Sequence, residues 1–596
     1  PQAKNQYING TFHNTSQMVS YLEKLSGEKY PWSKYSPVYL SYFHAGAMEN
    51  TSCTFFDQSL FLKETQSSYF CPEDYQIHEL SHQWFGNLVS CESWVYIVLN
   101  ESFASYCEYL WSEHQGLQGK KDKILLSFLS LYNEEKENNT IPIIRNHFPN
   151  PNLLFDDHTY SKGALVLHTL RSELGDSMFF DGIKQYIHTH KQSSVELDHL
   201  RLSFEQISGK DLHRFFNQWY MEKLDPVIEV SYKYKNNKSQ IEIETTQKQK
   251  SKEPFEIESE LVILYPEATV RKKLVIKNQK DKFYIPSDKE PITLFFDAEK
   301  HPLVTFQYKN TNGFDRALKN SETTLLSKTE LLKQFIENNS NDSIKGDIIL
   351  RAFEGSSENY RLFVSNYLLA RDYDFAGPYK GSHYAALSNI VQNKECEDCR
   401  LAAIQLLNKF RNKGKKELLQ KCLFDSNHDL VYYAMESLVN YYPEAAWNSF
   451  QALESSSDEE ILQYLSYFYT FSLNDSHNQF YQRTILTANN QSNIIENYLY
   501  YLSTANDSLI QNAFDFLVQN FDQLKSKQAQ NSALQFFNNI IQLVKEKEKS
   551  IKSQIKAHKE NKSPNEIDQR FIDLKNAELD KLQFLLEYFN ETKIKT

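Results

Sequence analysis

The period with which apolar residues repeat changes twice along the chain and divides it into three successive stretches. From about residue 16 to residue 224 they recur three and four positions apart, the period of an amphipathic helix, as in SQMVSYLEKLSG and SKGALVLHTLRSELG. Two segments in this stretch, SPVYLSYF and SCTFFDQSLFL, have instead the composition of short strands and flank HAGAMEN. The first stretch is therefore predicted to combine helices with a small sheet.

Beyond Pro226 the period changes to two. The alternating segments are VIEVSYKY, QIEIETT, EIESELVILY, RKKLVIKN and PITLFFDA. They predict a small β-sandwich that ends near residue 310. The helical period returns from about residue 315, in segments such as CRLAAIQLLNKFRNKGKKELLQKCLFD, and predicts stacked helical repeats.

These patterns predict an α+β multidomain protein. A chain of 596 residues is longer than one hydrophobic core usually supports. We assign residues 1–225 to a first, mixed domain, residues 226–312 to the β-sandwich and residues 313–596 to the helical repeats.

Charge and hydropathy exclude two classes of partner. The formal net charge is -12 and no block of Lys and Arg is present, which argues against nucleic acid. No apolar run approaches the length of about eighteen residues that a membrane-spanning helix needs. We therefore expect a soluble chain without a transmembrane segment. The sequence leaves the compartment open and slightly favours the cytoplasm over the periplasm or secretion.

The seven cysteines are scattered and do not resemble a disulfide framework. Cys396 and Cys399 form a C-x-x-C pair, which could be half of a zinc ribbon or a redox pair. Since no second pair accompanies it, we interpret the pair as structural or incidental.

The segment HELSHQWFG contains the first candidate chemistry. On a helix, His78 and His82 lie one turn apart on the same face, so both imidazoles can reach one zinc ion. Glu79 lies about 100 degrees round the helix and can contact a metal-bound water without being a ligand. Pro72, Glu73 and Asp74 favour the first turn of this helix. Gly86 favours its end.

A second helix is predicted in LNESFASYCEYLWSEHQG, with Glu101 in its first turn and Gly116 at its end. Glu101 is then a candidate third ligand. Two histidines and one carboxylate leave one position of zinc for water, as in a catalytic site. Zinc would acidify that water and Glu79 would move its proton to the departing amine, so the pattern predicts amide hydrolysis.

Together with GAMEN at residues 46–50, these residues resemble the aminopeptidase N family of zinc metallopeptidases, in the gluzincin group. YSKGALVLHTL and FFNQWYMEKLDPVIEV are similar to further family segments, and CESWVYIVLNESFASYCEYLW is similar to Bacteroidetes-type bacterial members. The resemblance is strong from about residue 20 to residue 310 and looser beyond. It implies a thermolysin-like catalytic domain, a small β-sandwich and a HEAT-like helical repeat domain.

The resemblance also implies roles for individual residues. One zinc ion per chain would be held by His78, His82 and Glu101, with Glu79 as general base. Glu49 would bind the free α-amine of a peptide substrate, Gly46, Ala47 and Met48 would line the substrate, and Tyr160 would donate its hydroxyl to the developing oxyanion.

Two departures from the family pattern affect these expectations. Ser105, four residues after Glu101, stands where a carboxylate in some relatives could support a zinc ligand. We expect the family's β-rich front domain, which adds a further partner for the substrate amine, to be absent from this chain. Such a domain, in the same or another chain, is therefore a candidate partner, and we expect the chain without it to bind zinc but to be weakly active.

Two other functions stay open on the sequence alone. Leukotriene epoxide hydrolases belong to the same family but usually contain G-G-M-E-N, so Ala47 favours the peptidase. A truncated relative could also serve as a binding scaffold through its helical repeats.

Overall fold

The structure is a computed structural model that describes residues 12–40, 42–57, 60, 72–355, 357–375, 377–472, 474–503, 505–559 and 566–593. The chain divides into two units, Pro1–Phe410 and Arg411–Thr596. This division lies within the helical stretch and coincides with neither of the domain boundaries derived from the sequence, which stay predictions.

The first part of the first unit is mainly helical, as the apolar period predicted. Its α-helices are Thr15–Ser26, Pro72–Ser81, Val98–His114, Gln118–Asn138, Gly163–Leu174, Asp176–His190, Leu197–Ser208 and His213–Phe216. Buried leucine, isoleucine and aromatic side chains from these helices form the core.

A small sheet interrupts these helices where the strand-like segments were noted. Strands β1 (Val38–Leu40), β2 (Ala47–Met48) and β3 (Phe55–Asp57) have the order β1-β3-β2. Strand β2 pairs antiparallel with β3, with Ala47 opposite Phe56 and Met48 opposite Phe55. The remainder of the second predicted strand, at 58, 59, 61 and 62, lies outside the described residues. The sheet presents the GAMEN segment beside the helix Pro72–Ser81.

A second small sheet was not predicted. Strands β4 (Val89–Cys91) and β5 (Ser193–Val195) pair in parallel, although about a hundred residues separate them in the chain. Strands of three residues are too short to show an alternating pattern.

The stretch with period two forms two further sheets. Its strands are β6 (Val227–Lys235), β7 (Gln240–Gln247), β8 (Ile257–Leu264), β9 (Thr269–Ile276), β10 (Lys280–Pro286), β11 (Thr293–Phe296) and β12 (Thr305–Tyr308). The sheets have the orders β10-β7-β6-β12 and β11-β8-β9. Alternate residues such as Ile241 and Ile243 are buried, which confirms the predicted strands. Strands β10 and β12 were missed.

Helices fill the remainder of both units. In the first unit they are Phe314–Lys319, Leu325–Asn338, Asp342–Glu354, Glu358–Ala370, Lys380–Gln392 and Glu397–Leu407. In the second unit they are Lys415–Cys422, His428–Tyr441, Pro443–Phe450, Glu459–Tyr469, Asn478–Thr487, Gln491–Leu502, Asp507–Gln519, Lys527–Lys559 and Glu566–Lys593. Several begin at an Asn or Asp whose side chain accepts a first-turn N–H, as at Asn341, Asn427 and Asp458.

In the described part of the chain, no helix is both long enough and apolar enough to cross a membrane.

The C-x-x-C pair is a disulfide between Cys396 and Cys399, at the start of the helix Glu397–Leu407. A disulfide sulfur is not a thiolate ligand, so the interpretation as half of a zinc ribbon is wrong for this state of the chain. The other described cysteines, Cys53, Cys91, Cys107 and Cys422, do not form disulfides.

Candidate metal centre

Two helices supply the predicted metal ligands. The helix Pro72–Ser81 carries His78 and Glu79, and its buried residues Ile77 and Leu80 fix its rotation against the core. It ends at Ser81 rather than at Gly86. The backbone changes there to the hydrogen-bond pattern of a 3-10 helix, because the N–H groups of Gln83 and Trp84 donate to carbonyls three residues earlier in the chain.

His82 therefore lies one residue beyond the helix, but it stays on the face of His78. Its N–H reaches the His78 carbonyl at 3.4 Å, so the helical bond pattern continues through His82. The second ligand helix is Val98–His114, close to the predicted bounds, with Glu101 in its first turn.

The three predicted ligands converge. Glu101 Oε2 lies 3.5 Å from His78 Nε2 and 3.3 Å from His82 Nε2. Tetrahedral zinc with ligand bonds of about 2.0–2.1 Å requires ligand atoms about 3.3–3.4 Å apart. The two distances to Glu101 thus match those expected between ligands of one tetrahedral zinc ion.

The Nδ1 atom of each imidazole, on the ring side away from Glu101, has a hydrogen-bond partner. His78 Nδ1 lies 2.8 Å from Glu108 Oε1, and His82 Nδ1 lies 2.9 Å from the Phe85 carbonyl oxygen. Such outer partners fix the tautomer and leave Nε2 of each ring as a metal ligand.

Glu108 is a candidate functional residue that was not predicted from the sequence. The position expected for a supporting carboxylate was that of Ser105, four residues after Glu101. Glu108 lies seven residues after Glu101, two helical turns on, and so shares its face. The spacing of seven was the signal that could have identified it.

Glu79 lies beside the three ligands and is itself nearly buried. Its Oε2 atom has no hydrogen-bond partner among the described residues. Burial raises the pKa of the Glu79 carboxyl to about 7, against the effect of His78 and His82. A carboxyl group with a pKa near neutrality can both accept and return a proton.

Glu49 directly follows strand β2. Its carboxylate, the carboxylate of Glu79 and a ring nitrogen of His82 offer ligand atoms within 4.8 Å of one another. This second set also satisfies the geometry of a metal site. The two sets share His82, so both describe one centre.

Tyr160 lies beside His78 on the wall of the same cavity. It belongs to a short π-helical segment, His158–Lys162, and its ring stacks near that of His78 with centroids 6.1 Å apart. Burial, together with the nearby Glu101 carboxylate, raises the pKa of Tyr160 far above its usual value. Its hydroxyl is therefore protonated and available as a donor.

All nine predicted site residues line one cavity of about 1280 Å³. They are Gly46, Ala47, Met48, Glu49, His78, Glu79, His82, Glu101 and Tyr160. Gly46 has a positive φ of 77°, a conformation that favours glycine, at the turn before β2. The sequence analysis did not identify Trp94 and Phe155, half-exposed rings 5.9 Å apart on the cavity wall.

The chain is similar to known metallopeptidases. Residues 11–219 match the family model described as Peptidase family M1 domain. Aminopeptidase N of Streptomyces lividans is 33% identical over 217 residues, which cover 35% of this chain and 25% of that protein. Aminopeptidase M1 of Arabidopsis thaliana is 32% identical over 214 residues, which cover 34% and 24%. The match spans about a quarter of the length of these relatives.

The fold has a solved counterpart. The crystal structure of Legionella pneumophila aminopeptidase A in complex with aspartic acid superposes with a TM-score of 0.62 at 13% sequence identity. The superposition covers 89% of this chain and 71% of that one. At this identity the likeness concerns the fold.

Proposed function

We propose that this chain is a zinc-dependent aminopeptidase that removes the N-terminal residue from peptides, because residues 11–219 match the family model described as Peptidase family M1 domain. The observation that carries the proposal is the convergence of three ligand atoms, a buried carboxylate and a second acidic group in one cavity. The relatives compared above are all named aminopeptidases, which favours this function over epoxide hydrolysis or a scaffold role.

The proposed architecture follows the family. A thermolysin-like catalytic domain would occupy residues 1–225, a small β-sandwich residues 226–312, and HEAT-like helical repeats residues 313–596. The strands β6 to β12 between Val227 and Tyr308, and helices from Phe314 onward, support these bounds.

His78, His82 and Glu101 would hold one zinc ion per chain. The donor spacing described above and the outer contacts from Glu108 and Phe85 support this ligand set. When bound, zinc supplies a Lewis acid that lowers the pKa of water and polarises a carbonyl oxygen.

Glu79 would act as general base and then as general acid. Its carboxylate takes a proton from the attacking water and returns it to the nitrogen of the leaving amine. The raised pKa of Glu79 and its unpartnered oxygen support this role. Tyr160 would donate its hydroxyl to the substrate oxygen as negative charge develops there.

Glu49 would limit the enzyme to chain ends. A carboxylate at this distance from the metal ligands pairs with the α-ammonium group of a peptide, so that only the first peptide bond reaches the centre. Gly46, Ala47 and Met48, along the same cavity wall, would line the substrate backbone and first side chain.

Peptides with a free N-terminus are therefore the proposed partners. A β-rich front domain in the same or another chain would contribute to the substrate amine site, as the family resemblance implies. Adding that domain as a separate polypeptide should then raise activity.

A paired assay tests the proposal. Hydrolysis of a dipeptide amide is compared with hydrolysis of its N-acetylated form, each with and without a metal chelator. An aminopeptidase cleaves only the free-amine form and loses that activity with the chelator. Equal cleavage of both forms, or activity that survives metal removal, would contradict it.

A further inference from the structure

The turn that carries Glu49 is fastened to the His82 segment by two side-chain amides. The backbone carbonyl of Glu49 accepts one N–H from Gln83 Nε2 at 3.2 Å and another from Asn87 Nδ2 at 2.9 Å. A carbonyl oxygen has two lone pairs, so both bonds can form at once.

Gln83 also holds the far end of this turn. Its Oε1 accepts the N–H of Ser52 at 2.8 Å, and the Gln83 side chain is fully buried. One buried side chain thus bonds to both ends of the turn 49–52, so the position of the Gln83 amide restrains the turn.

Both amides are joined to the metal ligand by a short covalent or hydrogen-bonded path. Gln83 follows His82 directly in the chain, and the Asn87 N–H donates to the His82 carbonyl at 2.9 Å. Two paths thus lead from His82 to the Glu49 carbonyl. The path through the Gln83 side chain contains one hydrogen bond, and the path through Asn87 contains two. Few rotatable bonds lie between the metal ligand and the proposed amine anchor.

We infer that Gln83 and Asn87 are positioning residues that set the distance between the metal and the Glu49 carboxylate, and that recognition of the free α-amine depends on them. This inference rests on the proposed aminopeptidase function. The two amides act through Glu49, and their loss moves that carboxylate without removing a metal ligand.

The test compares two metal-binding probes that differ in one amine. Alanine hydroxamate carries the α-amine, whereas propanohydroxamic acid has the same carbon skeleton without it. Both bind a metal through the hydroxamate group, so the ratio of their dissociation constants measures the contribution of the amine. Titration calorimetry on the full zinc-loaded chain gives this ratio without any turnover.

The variants are Gln83→Met and Asn87→Ala, alone and together. We expect each to reduce the ratio by about threefold to tenfold, the effect of one net hydrogen bond, and the double variant to reduce it further. Binding of propanohydroxamic acid should stay within about twofold of the parent, because the ligands are untouched. For a free-amine peptide, KM should rise while kcat changes little.

Gln247→Met is the matched control. The Gln247 amide is also buried and also bridges a backbone N–H and C=O, those of Phe255, but it lies in strand β7. The Gln247→Met variant should leave the ratio of the two dissociation constants at the parent value. Any general loss of stability would affect Gln83→Met and Gln247→Met alike.

The outcomes separate the inference from the proposed function. A parent that binds both probes equally well overturns amine recognition itself, and the inference with it. A parent that prefers the amine, with both variants keeping the full ratio, overturns only the positioning role. If both variants bind the two probes equally more weakly than the parent does, the positioning role is also overturned, because the amides would then support the metal centre instead.

Discussion

Two groups of histidine and carboxylate side chains, one in each unit, show what distinguishes a metal centre from a structural contact. In the first unit, the side chains of His78, His82 and Glu101 are 13%, 2% and 6% exposed. In the second unit, His428 contacts Asp458 and Glu460, and these side chains are 25%, 41% and 40% exposed. Both groups contain the residue types that bind zinc.

The difference lies in which ring nitrogens are occupied. His428 Nδ1 lies 2.7 Å from Glu460 and Nε2 lies 2.8 Å from Asp458, so each nitrogen has its own carboxylate. In the first unit the Nδ1 atoms of both rings have outer partners, and both Nε2 atoms turn toward Glu101. Convergent lone pairs, rather than the number of ligand-type residues, define the candidate metal centre.

The contact in the second unit has a structural purpose. His428 is the first residue of the helix His428–Tyr441, and Asp458 is the N-cap of the helix Glu459–Tyr469, where it accepts two backbone N–H groups. His428 therefore joins the starts of two helices.

The largest expected effect comes from Glu79, whose buried carboxyl group lies beside the three ligands. Glu79→Gln keeps the shape of the side chain but cannot accept the proton, so we expect turnover to fall by about a hundredfold to ten-thousandfold. The three ligands are unchanged, so zinc should remain, as measured by elemental analysis. His428→Gln is the control and should leave turnover unchanged. Loss of zinc along with turnover would identify Glu79 as a ligand.

The next effect concerns the support behind the metal ligands. Glu108→Gln weakens the partner of His78 Nδ1 without touching Nε2. We expect zinc affinity to fall by about tenfold to a hundredfold, the usual effect of losing an outer carboxylate. Competition with a fluorescent chelator measures it. An unchanged affinity would mean that Glu108 does not orient His78.

Glu49 separates the two overlapping ligand sets in the first unit. If His78, His82 and Glu101 bind zinc, Glu49→Ala should leave the metal in place. It should lower kcat/KM for free-amine peptides by about five- to a hundredfold, the loss of a charge-assisted contact of about 1–3 kcal/mol. N-acetylated peptides should be equally poor substrates for the parent and the variant. Loss of zinc would instead favour Glu49, Glu79 and His82 as ligands.

The sequence predicted those parts of the site that depend on local geometry. His78 and His82 share a face because 3.6 residues make a turn, and Glu101 was expected in a first turn from the helix-start pattern. The position of Glu49 near His82 depends on pairing between β2 and β3 and on the amides of Gln83 and Asn87. No periodicity encodes those contacts. Its assignment came from the family resemblance alone.

The same distinction applies to the fold. Strands β6 and β7 were predicted because their apolar and polar residues alternate, as in the buried Ile228 and Val230 of β6. Strand β10 was missed because its sequence, KDKFYIP, contains one buried residue, Ile285. Its pairing with β7 comes from backbone hydrogen bonds, which leave no mark in the pattern of side chains.

The smallest expected effect is the pH dependence of the His428 contact in the second unit. Partial burial lowers the pKa of His428, but its contacts with Glu460 and Asp458 raise it more, and the net result is a pKa above the ordinary value. Because the folded pKa is raised, the stabilisation from the charged ring is complete below the unfolded pKa of about 6.5 and is lost as pH rises through the folded pKa. The contact is partly exposed, so the change should stay below about 1 kcal/mol.

Hydrogen–deuterium exchange of the full chain can detect this change at the helix starts that His428 joins. Exchange in peptides covering His428–Tyr441 and Glu459–Tyr469 is compared between the parent and His428→Gln at about pH 5.5 and about pH 8.5, on either side of the ordinary histidine pKa. Taking the ratio of the two proteins at each pH cancels the intrinsic pH dependence of exchange. The variant should exchange faster than the parent at the lower pH, and the difference should shrink at the higher pH, because the ring is then neutral in the parent too. A difference that grows with pH would mean that His428 joins the helices as a neutral ring that donates its single N–H to one of the two carboxylates.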